Sequence, residues 1–221
     1  ENCQGTEKNE EKALTCYKQA ADQGFITALY NLGVAYMESS SNNEKEKAIA
    51  YFEMAAQKGH IPANYSLGMC YMLGIGVQQN WGDAIHYWLI AAGRGNHSDA
   101  QYQLGMTYLR GDYVHMDIFA FNYLQQAADQ GNAGAFIGLG ICYTRGIGTL
   151  QNLTKAAECY KFAAELGDVE GMCHLATCYF AGQGVAQDKQ KAIEYYQIAA
   201  DKGYPDAKYR LAMLYIRGDG V

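Results

Sequence analysis

Few side chains in this sequence combine a type and a spacing that could do chemistry. Seven cysteines and five histidines are the first candidates. Cys173, His174 and Cys178 fall close together on one predicted helix, and Cys142 falls on the equivalent helix before it. Thiolates with an imidazole are zinc ligands, but the set lacks a Cys-x-x-Cys pair. Equivalent helices packed about 8–10 Å apart also hold Cys142 and Cys178 beyond the roughly 7 Å between Cα atoms that a disulfide spans. Cys70, Cys142 and Cys178 share one place, three residues after a Leu, which Ala35 and Thr107 fill elsewhere. A place beside a packed face that accepts Ala, Thr or Cys reads as a buried free thiol. Cys16 and Cys159 share another place, held by Tyr51, Tyr87, Tyr123 and Tyr195 in other units. His60, His86, His97, His115 and His174 do not recur at one place, and His60 and His97 open helices where solvent is expected to reach them. No Ser-His-Asp or Cys-His-Asn set assembles. The sequence therefore assigns no catalytic residue, no metal ligand and no cofactor.

Gly-x-Gly occurs at Gly74/Gly76, Gly146/Gly148, Gly182/Gly184 and Gly218/Gly220. A phosphate cradle built on such glycines needs a strand before it and a helix N-terminus after it. Here the motif returns at a fixed interval instead, with only Gly111, then Asp112 and Tyr113, in one unit and Ser39-Ser40-Ser41-Asn42-Asn43 in another. The tyrosines recur as well, which argues for packing. Stacking on nucleic-acid bases would want a basic frame, and 17 Lys and Arg against 23 Asp and Glu give a net charge of -6. Nucleic acid is thereby excluded as a general partner. Asn64, Asn96 and Asn152 begin Asn-x-Ser/Thr triplets, which matter only on a secretory route; Asn64 lies inside a predicted helix and Asn152 at a predicted cap, so these read as chance matches. A composition of 49% apolar and 18% charged residues excludes disorder. No apolar run approaches the roughly 18 residues of a membrane span.

The elements that position these residues come from an internal repeat. Ala-Ala-x-x-Gly occurs six times, its glycines (Gly24, Gly59, Gly95, Gly131, Gly167 and Gly203) spaced by 35, 36, 36, 36 and 36 residues. A second marker pairs Leu and a small residue with Tyr four residues after the Leu, from Leu32-Gly33 with Tyr36 to Leu211-Ala212 with Tyr215. Each unit reads as two helices. The first carries Ala, Leu and Tyr on one face, as Ala63, Leu67 and Tyr71 do; the second carries Ala84, Trp88, Ala91 and Ala92 or their equivalents. Asn80, Asp117, Asn152 and Asp188 are the predicted N-caps of second helices. The glycine after Ala-Ala-x-x fits a left-handed C-cap. The count gives a half repeat at 11–24, full repeats at 25–59, 60–95, 96–131, 132–167 and 168–203, and a half repeat at 204–221. The expected fold is all-α, a single right-handed α/α superhelical solenoid of about twelve antiparallel helices. The terminal half units should expose apolar stripes, which a neighbouring repeat or domain at either end would cover. The start Glu1-Asn2-Cys3 fits a mature form or a cut fragment. A signal-processed bacterial chain would be secreted, periplasmic or host-delivered, and an unprocessed one cytoplasmic.

The pattern resembles the Sel1-like repeat family, relatives of the tetratricopeptide repeats. The resemblance rests on Ala63-Asn64-Tyr65-Ser66-Leu67-Gly68-Met69-Cys70-Tyr71, then Gly74-Ile75-Gly76-Val77, Asp83-Ala84 and Ala91-Ala92 with Gly95, and most closely on 171–203. It implies a non-enzymatic protein-interaction scaffold or adaptor that binds a protein or peptide along its concave surface. Two alternatives stay open: a cell-envelope or peptidoglycan-associated module with a glycan or small-molecule ligand, and the targeting arm of a larger enzyme. Positions three, six and ten residues after the marker Ala vary between units and fall on one stripe of the first helix. The candidate contact residues there are Asn31, Met69, Leu73, Gln103, Met106, Arg110, Ile141, Arg145, His174, Arg210 and Arg217. Methionine adapts and arginine anchors, so the expected partner is a protein or peptide carrying acidic groups.

Circular dichroism should show a helical protein without strand. Small-angle scattering should give a radius of gyration well above the roughly 17 Å of a compact chain of this length; a globule-like radius would refute the repeat reading.

Overall fold

The computed structural model describes residues 10–111 and 116–218; Cys3, Asp112, Tyr113, His115 and Gly220, named above, lie outside the described residues. The described residues form twelve α-helices and no strand. The second helices of the repeats are α1 (Glu10–Asp22), α3 (Asn42–Gln57), α5 (Trp81–Gly95), α7 (Asp117–Ala128), α9 (Leu153–Glu165) and α11 (Lys189–Asp201). They alternate with the first helices, α2 (Ile26–Met37), α4 (Ile61–Leu73), α6 (Ser98–Arg110), α8 (Ala133–Arg145), α10 (Val169–Ala181) and α12 (Pro205–Arg217). The chain divides into two compact units between Ala100 and Gln101, within α6. In the first unit α2 packs on α3, and α4 on both α3 and α5; in the second, α8 packs on α7, α9 and α10, and α11 on α10 and α12.

Within each hairpin the two helices are brought together by a large side chain set against a glycine. A Cβ at Gly33, Gly68, Gly105 or Gly140 would fall within 3.0 Å of Phe52, Trp88, Leu124 or Tyr160 respectively. These four side chains are at most 5% exposed, so each first helix seats its neighbour directly on its own backbone. The tyrosine one turn further along stacks on a tyrosine of the second helix, Tyr36 on Tyr51 and Tyr71 on Tyr87 at 5.6 Å and Tyr179 on Tyr195 at 6.0 Å. Lys47 and Lys191 lie over the outer faces of Tyr36 and Tyr179. These six tyrosines therefore serve packing.

The turn from one repeat to the next follows from Ala-Ala-x-x-Gly. At Gly24, Gly59, Gly131, Gly167 and Gly203 φ is +83° to +92°, a region that favours glycine. Each of these glycines donates its N–H to the second Ala carbonyl, and the next residue donates to the first, as in Gly167 to Ala164 and Asp168 to Ala163. The sixth case departs from expectation. Gly95 is the last residue of α5, and Asn96 takes the left-handed conformation with φ +47°. One extra residue precedes Ala100 here, and Gly95 is needed for another reason: a Cβ on it would strike Ile61.

The Gly-x-Gly loops join the two helices of a repeat and also touch the repeat before. Gly74, Gly146 and Gly182 end first helices in the left-handed region. The second glycines, Gly76, Gly148 and Gly184, also have positive φ, and a Cβ on them would strike the carbonyls of Lys45, Asp117 and Leu153 at the start of the preceding second helix. The phosphate-loop look-alike is thus a contact between repeats. A recurring glutamine, not anticipated from sequence, fixes the far side of each loop. Gln79, Gln151 and Gln187 donate side-chain N–H groups to the carbonyls of Met72, Thr144 and Phe180 at 2.7–2.9 Å. Asn80, Asn152 and Asp188 then cap the second helices through their side chains, as expected. Asp117 does not. It is the first residue of α7, whose N-cap is Met116, because it stands three rather than four residues before the stripe alanine Ala120.

The histidines expected in solvent are packed instead. His60 and His97 lie on Tyr30 and Tyr65 with ring centroids 4.7 and 4.8 Å apart, and burial lowers the His60 pKa. Asn64 is buried with its amide donating to the His60 carbonyl at 3.1 Å. The outward faces of the terminal helices expose Tyr17 on α1 and Tyr209, Tyr215 and Ile216 on α12.

Two glycine-to-alanine substitutions separate backbone conformation from contact. Gly167→Ala meets nothing within 4 Å and should lose only the left-handed preference, about 1–2 kcal/mol. Gly184→Ala also collides with the Leu153 carbonyl and should lose about 3 kcal/mol or more. Urea unfolding of the two variants measures the difference; equal losses would show that the loop does not hold the repeats together.

Candidate functional site

Three pairs of successive first helices leave a groove between them, each floored by a second-helix side chain. In the first unit, α2 and α4 enclose about 300 Å³. Val34, Met37 and Glu38 form one wall, Met69 and Leu73 the other, and Phe52 and Cys70 the floor. In the second unit, α8 and α10 enclose about 230 Å³ between Ile141, Thr144 and Arg145 on one side and His174 and Thr177 on the other, over Tyr160 and Cys178. A third groove of about 210 Å³ lies between α10 and α12, lined by Phe180, Tyr196, Tyr209, Arg210, Met213 and Arg217.

The sequence-derived stripe distributes over these grooves unevenly. Met69 and the exposed Leu73 line the α2/α4 groove; Ile141, Arg145 and His174 line the α8/α10 groove; Arg210 and Arg217 line the α10/α12 groove. Asn31, Gln103, Met106 and Arg110 line none of the three. Asn31 is half-buried, Gln103 accepts the Thr107 hydroxyl on its carbonyl at 2.7 Å, and Met106 packs beside Leu124 and Cys142. Arg110 is exposed at the end of α6, and its charge helps hold Glu170 of α10 below the usual carboxylate range. The grooves also use side chains that a first-helix stripe does not contain, above all Phe52, Tyr160 and Tyr196 from second helices.

The charged groups differ in how they are held. Arg210 Nε donates to Asp206 Oδ2 at 2.7 Å, a pairing one turn apart that lowers the Asp206 pKa. The same carboxylate accepts the Cys173 thiol at 3.3 Å; burial, then this bond, pushes that thiol up to about 12. His174 lies flat on Tyr160, with centroids 4.7 Å apart and planes 14° apart, and its Nε2 is 3.8 Å from Glu170 Oε1. That neighbour is the main reason the Glu170 pKa is lowered. Burial raises the Tyr160 hydroxyl to about 12, and it lies 3.4 Å from Thr144 Oγ1. Among the described residues Arg145 makes no ion pair.

Cys142 and Cys178 are free and buried, as are Cys70, Cys159 and Cys173, while Cys16 is exposed. Among the described residues no group of three or more His, Cys, Asp and Glu side chains is placed to hold a metal ion, and no helix is long and apolar enough to cross a membrane.

The family profile described as Sel1 repeat matches residues 3–25, 26–60, 61–96, 98–132, 137–168, 169–204 and 205–221. The chain belongs to the Sel1 repeat family. Among solved structures it is similar to a protective antigen of uropathogenic Escherichia coli strains with an SLR fold, at 31% identity and a TM-score of 0.86 over 97% of this chain. It spans 46% of that antigen's length. A Sel1 repeat protein from Oxalobacter formigenes is similar at 23% identity and TM-score 0.83, covering 95% of this chain and 90% of its own. An immunity protein from Pseudomonas aeruginosa shares the fold at 22% identity and TM-score 0.54, covering 83% of this chain and 67% of its own. No curated protein matches the chain. The Sel1 repeat architecture, helical hairpins with varied residues between constant packing positions, is typical of non-enzymatic scaffolds and adaptors that bind protein or peptide partners.

Thiol burial is directly measurable. At pH 8 a thiol held at about 11 is roughly one part in a thousand thiolate, the form that alkylates. Among the described cysteines, iodoacetamide should label Cys16 first. Cys70, Cys142, Cys159, Cys173 and Cys178, raised to about 11 or 12 chiefly by burial, should label only on unfolding. Peptide mass spectrometry resolves the sites; comparable rates at all of them would contradict the packing described.

Proposed function

We infer that this chain is a non-enzymatic interaction scaffold that seats a protein or peptide segment in the grooves between its first helices. The observation that carries this reading is that grooves at equivalent places in the repeat keep an apolar floor while their rims change from unit to unit. A constant floor provides burial, and a variable rim provides selectivity. The proposed contact set is the first-helix stripe: Met69, Leu73, Ile141, Arg145, His174, Arg210 and Arg217 in the grooves, and Asn31, Gln103, Met106 and Arg110 on the same helices beside them. The arginines among them favour a partner with acidic groups, since a guanidinium fork gives two donors to one carboxylate. Arg210 contributes least to this, being committed to Asp206.

A partner isolated by affinity capture is titrated calorimetrically against the parent chain, the double variant Arg110→Ala plus Arg145→Ala, and Leu73→Glu. The double variant should lose roughly 2–4 kcal/mol, beyond the roughly 1 kcal/mol of rim contacts. Leu73→Glu should weaken binding at least tenfold. All three residues are exposed, so thermal melts should not move. Unchanged affinity in both variants would remove the binding surface from the first helices.

A further inference from the structure

The α2/α4 and α8/α10 grooves occupy the same place in their repeats, and eight of the ten lining residues of each pair by repeat position. Val34 corresponds to Ile141 and Cys70 to Cys178, pairs that keep their chemistry. The remaining pairs change chemistry. Met37 becomes Thr144, Glu38 becomes Arg145, Phe52 becomes Tyr160, Ser66 becomes His174, Met69 becomes Thr177 and Ile75 becomes Gln183. The repeat does not require these polar groups, because the α2/α4 hairpins pack the same way without them. Nor are all of them open to a ligand. The Thr144 and Thr177 hydroxyls donate to the carbonyls of Gly140 and Cys173 within their own helices, at 2.7 and 3.0 Å. Arg145 and His174 are different. Arg145 stands exposed at the end of α8, and His174 is fixed on the facing wall by its stack on Tyr160. Glu170 holds one edge of the imidazole from outside the groove lining, leaving Arg145 as the groove's uncommitted charge among the described residues.

We propose that the α8/α10 groove is a carboxylate-binding subsite, in which the Arg145 fork pairs with the carboxylate, His174 bounds it on the opposite wall, and Ile141 covers the attached aliphatic stem. The α2/α4 groove, with Glu38 at the place of Arg145, repels a carboxylate and takes an apolar side chain. This rests on the reading of the grooves as partner sites and adds the chemistry each one selects. The carboxylate is that of an acidic side chain or of a chain terminus; the recognition chemistry is shared.

The test is a ¹⁵N NMR titration of the whole 221-residue chain with three probes. N-acetyl-leucyl-glutamate α-amide carries only a side-chain carboxylate, N-acetyl-leucine only a terminal one, and N-acetyl-leucyl-glutamine amide none. At least one carboxylate probe should shift the amides of Thr144, Arg145 and His174, and which one does identifies the source. The glutamine probe should bind at least tenfold more weakly. Arg145→Gln, at an exposed position, should remove the response with no change in melting. Glu38→Arg plus Ser66→His should create a response in the α2/α4 groove. The proposal is overturned by equal binding of the glutamine probe, by an unchanged response in Arg145→Gln, by shifts away from α8 and α10, or by no response at roughly 10 mM, where ligands of this size register. A captured partner that depends on the first helices while the probes fail would sink the carboxylate subsite alone. Probes that bind while that partner ignores the groove variants would sink the scaffold reading alone.

Discussion

A bulky side chain resting directly on helix backbone is the contact on which the rest of this structure depends. Phe52, Trp88, Leu124 and Tyr160 each occupy the space that a Cβ would need at Gly33, Gly68, Gly105 and Gly140. The contact sets the separation of the two helices in a hairpin. It also sets what a ligand would meet, because Phe52 and Tyr160 are at once the hairpin seat and the groove floor. Stability and recognition therefore share atoms. A floor residue can change only among side chains that still seat on glycine, which explains why large side chains, Phe52, Trp88, Leu124 and Tyr160, recur there while the rims vary.

The joints between repeats use backbone more than side chain. The Ala-Ala carbonyls are capped by the two N–H groups that follow, and the second loop glycine touches the preceding repeat's helix start. Neither contact depends on the identity of an exposed residue. This leaves the surface positions of each hairpin unconstrained by folding, the condition under which repeat proteins diversify their binding faces.

The period, the helix pairs, three of the four N-caps and five of the six capping glycines were legible in the sequence, because each follows from a local rule of spacing or φ. Gly95 was not, since its role is contact with Ile61 and the left-handed residue moved to Asn96 after a one-residue insertion. His60 and His97 were misread as solvated because the tyrosines they cover, Tyr30 and Tyr65, lie a full helical hairpin earlier in the chain. The glutamine ties at Gln79, Gln151 and Gln187 had a signal that went unused, a Gln immediately before each capping Asn or Asp. The candidate site was half legible. One helix's variable stripe names one wall of a groove, whereas the opposite wall comes from the previous repeat and the floor from the hairpin between, so Thr144, Phe52 and Tyr160 escaped. The Arg210 pairing with Asp206 was local enough to have been seen, being one helical turn.

The thiols at Cys70 and Cys178 lie at the bottom of their grooves, in a place where Ala35 and Thr107 stand in other repeats. The last repeat has Leu214 at this place, lining its own groove, so the side chains there run from alanine to leucine and differ by up to three heavy atoms. The place thus acts as a depth adjustment that belongs to a single repeat. A lineage could deepen or shallow one groove by a point mutation there without disturbing the stacking of neighbouring hairpins, so duplication of a repeat followed by drift at this position offers a short evolutionary path from one set of accepted side chains to another.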